Sequence, residues 1–267
     1  MKKANNSLYM LTLITTSLTL LTALTGLFYQ QIYTERINRI TSYELMGQDT
    51  ITAVIALVFL ILILFSDFRK TKTKILWLGF LLYIFYVYAY YSLSGISGNL
   101  YLVYMTITGL SLYLFIFIIA DIISTGKLPV VKENYPRKSL SAFFFICVLI
   151  VSIMEICEIF EKTVLLKEKI NPFYVFYVLD LCFIFPMIVI AGIMNLRKSS
   201  WGYLFSGVAL IKILTILPAV MMNDIFHLLY TGKFIDLSFD IIALVITLSA
   251  LVFLILYLKN LESANKS

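Results

Sequence analysis

Charge is the scarcest ingredient of this sequence. Only 13 % of its 267 residues are Asp, Glu, Lys or Arg, while 61 % are hydrophobic. A water-soluble domain ordinarily has about a quarter charged and about 45–50 % apolar residues. A soluble fold built from this chain would lack the polar material to cover its core, so the solvent implied is a bilayer. Histidine is limited to His227, which leaves zinc chemistry without a ligand set. The cysteines are Cys147, Cys157 and Cys182. They lie inside apolar runs with no CxxC spacing, which excludes a thioredoxin-type redox pair and gives a metal site no support. The expected state is free thiols, a Cys157–Cys182 bridge being the one alternative. Glycine-rich phosphate loops and GxSxG nucleophile elbows are missing. So is the apolar–polar alternation that membrane strands need over about ten positions; Ile51–Phe65 is apolar all round.

What remains is long hydrophobic runs. A helix crosses a hydrocarbon core about 30 Å thick with about 20 residues. Eight stretches qualify: 8–29, 50–66, 75–92, 100–120, 140–160, 173–196, 201–222 and 241–258. The charge-free run from Ile75 to Ala120 is too long for one crossing. Ser92, Ser94, Gly95, Ser97, Gly98 and Asn99 interrupt it as a turn. The expectation is an all-α integral membrane helical bundle of about eight transmembrane helices, one unit over residues 1–267, because no loop is long enough to fold alone. The first run is longer than the about 7–15 residues of a signal-peptide core, and no small-x-small site follows it cleanly. It is expected to be a retained span.

The chain carries a net charge of +6. In a soluble protein that would raise nucleic acid as a partner. Here the positive charge sits in short segments between apolar runs, which is the pattern that orients a bundle against an anionic cytoplasmic leaflet. One side collects Lys2, Lys3, Arg69, Lys70, Lys72, Lys74, Lys127, Lys132, Arg137, Lys138, Arg197, Lys198, Lys259 and Lys266. The other has Arg36, Arg39, Lys162, Lys167, Lys169 and Lys233. The richer side is assigned to the cytoplasm, with both termini on it. No nucleic-acid partner and no cofactor is expected. The partners implied are the lipid bilayer, a small solute or ion, and a membrane protein partner or a second copy of the chain.

Three connecting or polar features stand out. In the outer loop Gln30–Asp49, Tyr33, Ile37 and Ile40 recur at helical spacing, which suits a short helix lying on the membrane surface as well as an irregular loop. The inner segment Ile122–Ser139, with Gly126, Pro129 and Pro136, reads as unstructured and divides the spans into two sets of four. In the first span Thr12, Thr15, Thr19, Thr22 and Gly26 share one stripe, which serves close helix packing or lines a path for a polar solute.

The informative residues are Glu155, Asp180 and Lys212 on three consecutive spans. A charge at the centre of a membrane helix costs about 2.5–3.5 kcal/mol on insertion scales and usually faces the bundle interior with a partner. Tyr177 lies one turn before Asp180, within reach as a hydrogen-bond donor. Tyr83 and Tyr86 lie too deep to be interface anchors, so their phenols need partners or a cavity. Pro186 and Pro218 weaken the helices that carry Asp180 and Lys212. Two readings stay open: a structural Asp180–Lys212 ion pair, or a polar site open to the outside that binds an ion or small solute. His227 reads as a solvated loop residue.

Three segments together resemble a group of small bacterial polytopic membrane proteins without an assigned activity. The first is Gly47-Gln48-Asp49 before an apolar span. The second is Leu76-Trp77-Leu78-Gly79 through Tyr83 and the tyrosines to Tyr91, then Asn99, Leu102 and Tyr104. The third is Leu179-Asp180 with Pro186, then Arg197-Lys198, Trp201-Gly202-Tyr203 and Lys212. Where the relatives carry Asn-Tyr, this chain has Val87-Tyr88, so no role transfers at that position. The resemblance implies a bacterial inner (cytoplasmic) membrane and names no substrate. The functional expectation is a small-solute or ion permease with an outward-facing site drawn from Glu155, Asp180, Lys212, Tyr177, Asp49, Tyr86 and Asn99. The rivals are a non-catalytic membrane subunit or scaffold whose charges only pair, and an intramembrane enzyme.

Overall fold

The computed structural model describes residues 2–29, 31–34, 39–96, 98–167 and 174–263. Its helices are α1 (Lys2–Phe28), α2 (Gln31–Thr34), α3 (Arg39–Phe65), α4 (Thr71–Leu93), α5 (Tyr101–Thr125), α6 (Arg137–Phe160), α7 (Val175–Leu179), α8 (Phe185–Leu196), α9 (Ser200–Thr231) and α10 (Leu237–Asn260). A π-helical turn, Glu161–Leu165, extends α6, and another, Asp180–Ile184, joins α7 to α8 into one crossing. Eight helical stretches are long and apolar enough to cross a membrane, and the chain is a multi-pass membrane protein. Helices are the natural outcome of these runs, because hydrocarbon offers backbone N–H and C=O groups no partner outside the segment.

Two short strands, β1 (Pro129–Val131) and β2 (Leu261–Ser263), pair antiparallel. They link the α5–α6 connection to the end of α10, which places both on one face of the bundle. Thr71 Oγ1 donating to the Lys127 carbonyl (3.3 Å) and Lys72 Nζ to the Leu258 carbonyl (2.9 Å) tie that face together. This is the terminal face of the bundle. The α5–α6 segment is therefore ordered rather than unstructured, because Val131, Tyr135 and Leu261 bury their side chains there.

Two helices form the centre. In α4 and α9, 67 % and 61 % of the membrane window is buried, against 39 % or less elsewhere. α9 packs on α3, α4, α8 and α10, so it locks the two sets of four spans into one body. Glycine permits the approach. A Cβ on Gly47 would meet the backbone of Met222 and Asn223, one on Gly79 the Ile211 side chain, and one on Gly207 both Ile75 and Tyr257. Small residues at such crossings let membrane helices pack by dispersion, where no hydrophobic effect drives them together. The outward faces, among them Leu64, Leu149 and Val252, are exposed and apolar, as lipid contact requires.

Several boundaries differ from the sequence expectation. α3 begins at Arg39 rather than near Thr50, and α9 runs to Thr231 rather than Met222. The two extensions support each other. Tyr43 stacks on Tyr230, His227 Nδ1 lies 3.0 Å from Glu44 Oε1, and Gly47 seats against Met222–Asn223. His227 is thus a helical residue paired to α3, not a solvated loop residue. Of the expected surface helix, Tyr33 is buried in the bundle, Ile37 lies outside the described residues, and Ile40 belongs to α3. Thr12, Thr15, Thr19 and Thr22 are buried, and each hydroxyl donates to a carbonyl four residues back in its own helix. That is a packing stripe, with its hydrogen bonds spent locally. All three cysteines are free thiols.

Candidate functional site

The polar interior has two parts, both built on α4. The first is a buried carboxyl. Asp49, 1 % exposed, lies inside α3 and accepts the hydroxyls of Tyr33 (2.6 Å, Oδ2) and Tyr91 (3.0 Å, Oδ1). Tyr88 and Tyr104 pack their rings around Tyr91. Gly26 closes the site from α1: a Cβ there would fall on the Asp49 carboxylate and the Tyr33 hydroxyl. The last member of the α1 stripe is thus a glycine because the acid occupies its side-chain space. Sequence reading set Asp49 at the membrane boundary, since a charge normally ends a span. Its two phenol donors come from α2 and α4, and no local pattern announces them.

Next to Asp49 on α3, Gln48 Nε2 donates to the Tyr83 hydroxyl (3.0 Å), which lies 2.9 Å from the Oγ1 of Thr52, one turn along. The deep phenol expected to need a partner has two.

The second part gathers Lys212, Tyr86, Asp180 and Glu155. Asp180 opens the π-helical turn before Pro186. Proline has no N–H to give to the carbonyl four residues back, and its ring crowds that carbonyl. The chain answers with a wider turn, in which the Phe185 N–H bonds the Asp180 carbonyl five residues earlier. Such turns are frequent at functional sites. The Asp180 side chain accepts from the Tyr86 hydroxyl at 2.7 Å. Tyr177, one turn earlier, is buried with its hydroxyl beside Glu158. The donor to Asp180 is therefore Tyr86 on α4, a correction to the sequence expectation.

Lys212 comes from the middle of α9 and is 1 % exposed. Its Nζ lies over the Tyr86 ring, 3.3 Å from the centroid, and 5.8 Å from that of Tyr83. It has no hydrogen-bond partner among the described residues. Asp180 is near enough to interact electrostatically but makes no ion-pair contact. Tyr86 thus separates the two charges, with the cation on its face and the carboxylate at its hydroxyl. Glu155 completes the group from α6. It is buried, within electrostatic reach of Asp180, and its Oε2 has no partner among the described residues.

The terminal end of α4 provides a contrast. Lys74 is also buried, but its Nζ pairs directly with the Asp121 carboxylate and lies 5.3 Å from the Phe68 ring centroid. By sequence Lys74 falls among the charges between two spans. Its burial follows from α4 beginning at Thr71, which puts position 74 inside the first turn and facing α5. Two described lysines are therefore buried, one in a direct ion pair and one held off Asp180.

Of the seven sequence candidates, Tyr86, Asp180, Glu155 and Lys212 come together, with Tyr177 at their edge. Asp49 forms the separate site with Tyr33 and Tyr91. Asn99 stands exposed in the turn between α4 and α5 and joins neither. No described group of three or more His, Cys, Asp or Glu has the arrangement to hold a metal ion. Comparison with protein-family models, with curated proteins and with solved structures finds no match for this chain.

Proposed function

We propose that this chain is a permease-type protein of a bacterial inner membrane, with both termini in the cytoplasm and an outward-facing ion- or small-solute-binding site formed by Asp180 and Glu155 with Lys212 near the middle of the bundle. One observation carries the reading: the Lys212 amine is buried without a hydrogen-bond partner among the described residues, near an acid, Asp180, that it does not touch. A lysine kept only for stability would be paired as Lys74 is. Burying a charge costs several kcal/mol after relaxation, and direct contact is what repays it. Intramembrane charges left without that contact mark substrate and ion pathways. The π-helical turn at Asp180 supports the same reading, because it gives the acid-bearing crossing a point of weak backbone pairing. The orientation rests on the excess of Lys and Arg at the terminal face, and the bacterial membrane on the resemblance in sequence.

The test is complementation by a chain that still folds. Lys212→Met keeps the length of the side chain and removes the charge. In a strain lacking the gene, this variant should reach the membrane at wild-type level and fail to restore the missing phenotype. Full restoration refutes the reading and returns the chain to the scaffold class.

A further inference from the structure

A second polar feature lies far from Lys212. On the terminal face a cleft of about 380 Å³ opens between the start of α6 and the end of α8, lined by Tyr135, Pro136, Arg137, Lys138, Ser139, Leu196 and Lys198. We infer that it binds the phosphate headgroup of an anionic glycerophospholipid.

The cleft is basic and built. Arg137 is fixed from three directions: its Nε donates to the Tyr203 hydroxyl (3.0 Å), and its Nη1 and Nη2 donate to the carbonyls of Glu133 and Lys132 (both 3.3 Å). A guanidinium has five N–H donors, so two remain for a ligand. Asn195, fully buried near the end of α8, donates to the Arg137 carbonyl (3.1 Å) and to Ser141 Oγ (2.9 Å), whose hydroxyl bonds the Gly192 carbonyl (2.9 Å). That strap fixes the spacing of the two walls. Lys138 and Lys198 are exposed and, among the described residues, neither has an ion-pair partner. Three cations thus converge without a carboxylate in the lining.

Position selects the ligand. Arg137 is the first residue of one crossing and Leu196 the last of another, so the cleft lies at the level of the headgroups. α6 starts without a side-chain cap and its Arg137 N–H is taken by the Tyr135 carbonyl (2.8 Å), which leaves the N–H groups of Lys138 and Ser139 to meet an anion. Leu196 in the lining and Ile193 one turn before it are exposed and apolar, a path for an acyl chain leaving the cleft. Basic pockets between membrane helices bind anionic headgroups in this manner. A soluble phosphate would use the cations and leave the apolar wall unused.

The test uses the full chain in mild detergent, with bound lipid counted by native mass spectrometry. Phosphatidylglycerol should bind more tightly than phosphatidylcholine. Each lysine near the surface is worth about a fivefold change in affinity, so the double variant Lys138→Gln, Lys198→Gln should weaken phosphatidylglycerol roughly 25-fold and leave phosphatidylcholine unchanged. Lys132→Gln with Arg197→Gln removes the same charge outside the cleft and should weaken binding far less. Equal loss in the two double variants, equal affinity for the two lipids, or full displacement by millimolar inorganic phosphate would each overturn the inference, the last in favour of a soluble anion. Should the double variant lose folded yield, Lys198→Gln alone carries the test, with a fivefold loss expected and no loss refuting.

Discussion

Replacing Lys212 by methionine is the sharpest perturbation of this bundle, because two geometries predict opposite outcomes. Were Lys212 in direct contact with Asp180, removing it would strand a carboxylate and cost about 3–5 kcal/mol. In the structure the amine has no hydrogen-bond partner among the described residues and rests on the Tyr86 ring. A desolvated cation–π contact returns about 2 kcal/mol, while burying the ammonium costs several kcal/mol. Methionine fills similar space and adapts to gaps, and Asp180 keeps its Tyr86 donor. Lys212→Met should therefore cost less than about 1 kcal/mol, or stabilise. Tyr86 separates the contributions. Tyr86→Phe keeps the ring and strips the donor from Asp180, an expected loss of about 1–3 kcal/mol. Tyr86→Leu also removes the ring face, which adds about 2 kcal/mol that disappears in the Lys212→Met background. The assay is equilibrium unfolding in mixed micelles titrated with a denaturing detergent, read by fluorescence of Trp77 and Trp201. A loss of 3 kcal/mol or more for Lys212→Met, restored by adding Asp180→Leu, would refute the geometry and establish a direct pair.

Lys74→Met should cost about 3–5 kcal/mol in the same assay, since it strands Asp121 from a direct pair; a loss as small as that of Lys212→Met would contradict the contrast between the two lysines. Gly26→Ala should destabilise strongly, since its Cβ falls on the Asp49 carboxylate, whereas Gly109→Ala meets nothing within 4 Å and should be neutral or stabilise by about 1 kcal/mol; equal effects would mean that Asp49 does not occupy the Gly26 position. For orientation, single cysteines at Thr125 and at Thr231 in a cysteine-free chain should differ in intact cells. An impermeant thiol reagent should label position 231 and spare 125, and labelling of both would overturn the assignment of the terminal face to the cytoplasm.

The sequence alone determined the solvent, the element type and the number of crossings. Those follow from composition and run length, because hydrocarbon tolerates only backbones that satisfy themselves and sets the length of a span. It also pointed to Glu155, Asp180 and Lys212, because a charge in an apolar run is conspicuous whatever surrounds it. Tertiary structure decided what each charge touches. Asp49 looked like the edge of a span until α3 proved to begin at Arg39, an extension stabilised by α9 through Gly47, Glu44 and Tyr43. Lys74 looked like a loop cation and is buried against Asp121. Asp180 has its donor on α4 rather than one turn away on its own helix. Hydropathy is a property of one segment and can be read along the chain. A hydrogen bond between helices distant in sequence depends on crossing angle and register, and here those are set by glycine approaches on α4 and α9 that become meaningful only once the helices are packed.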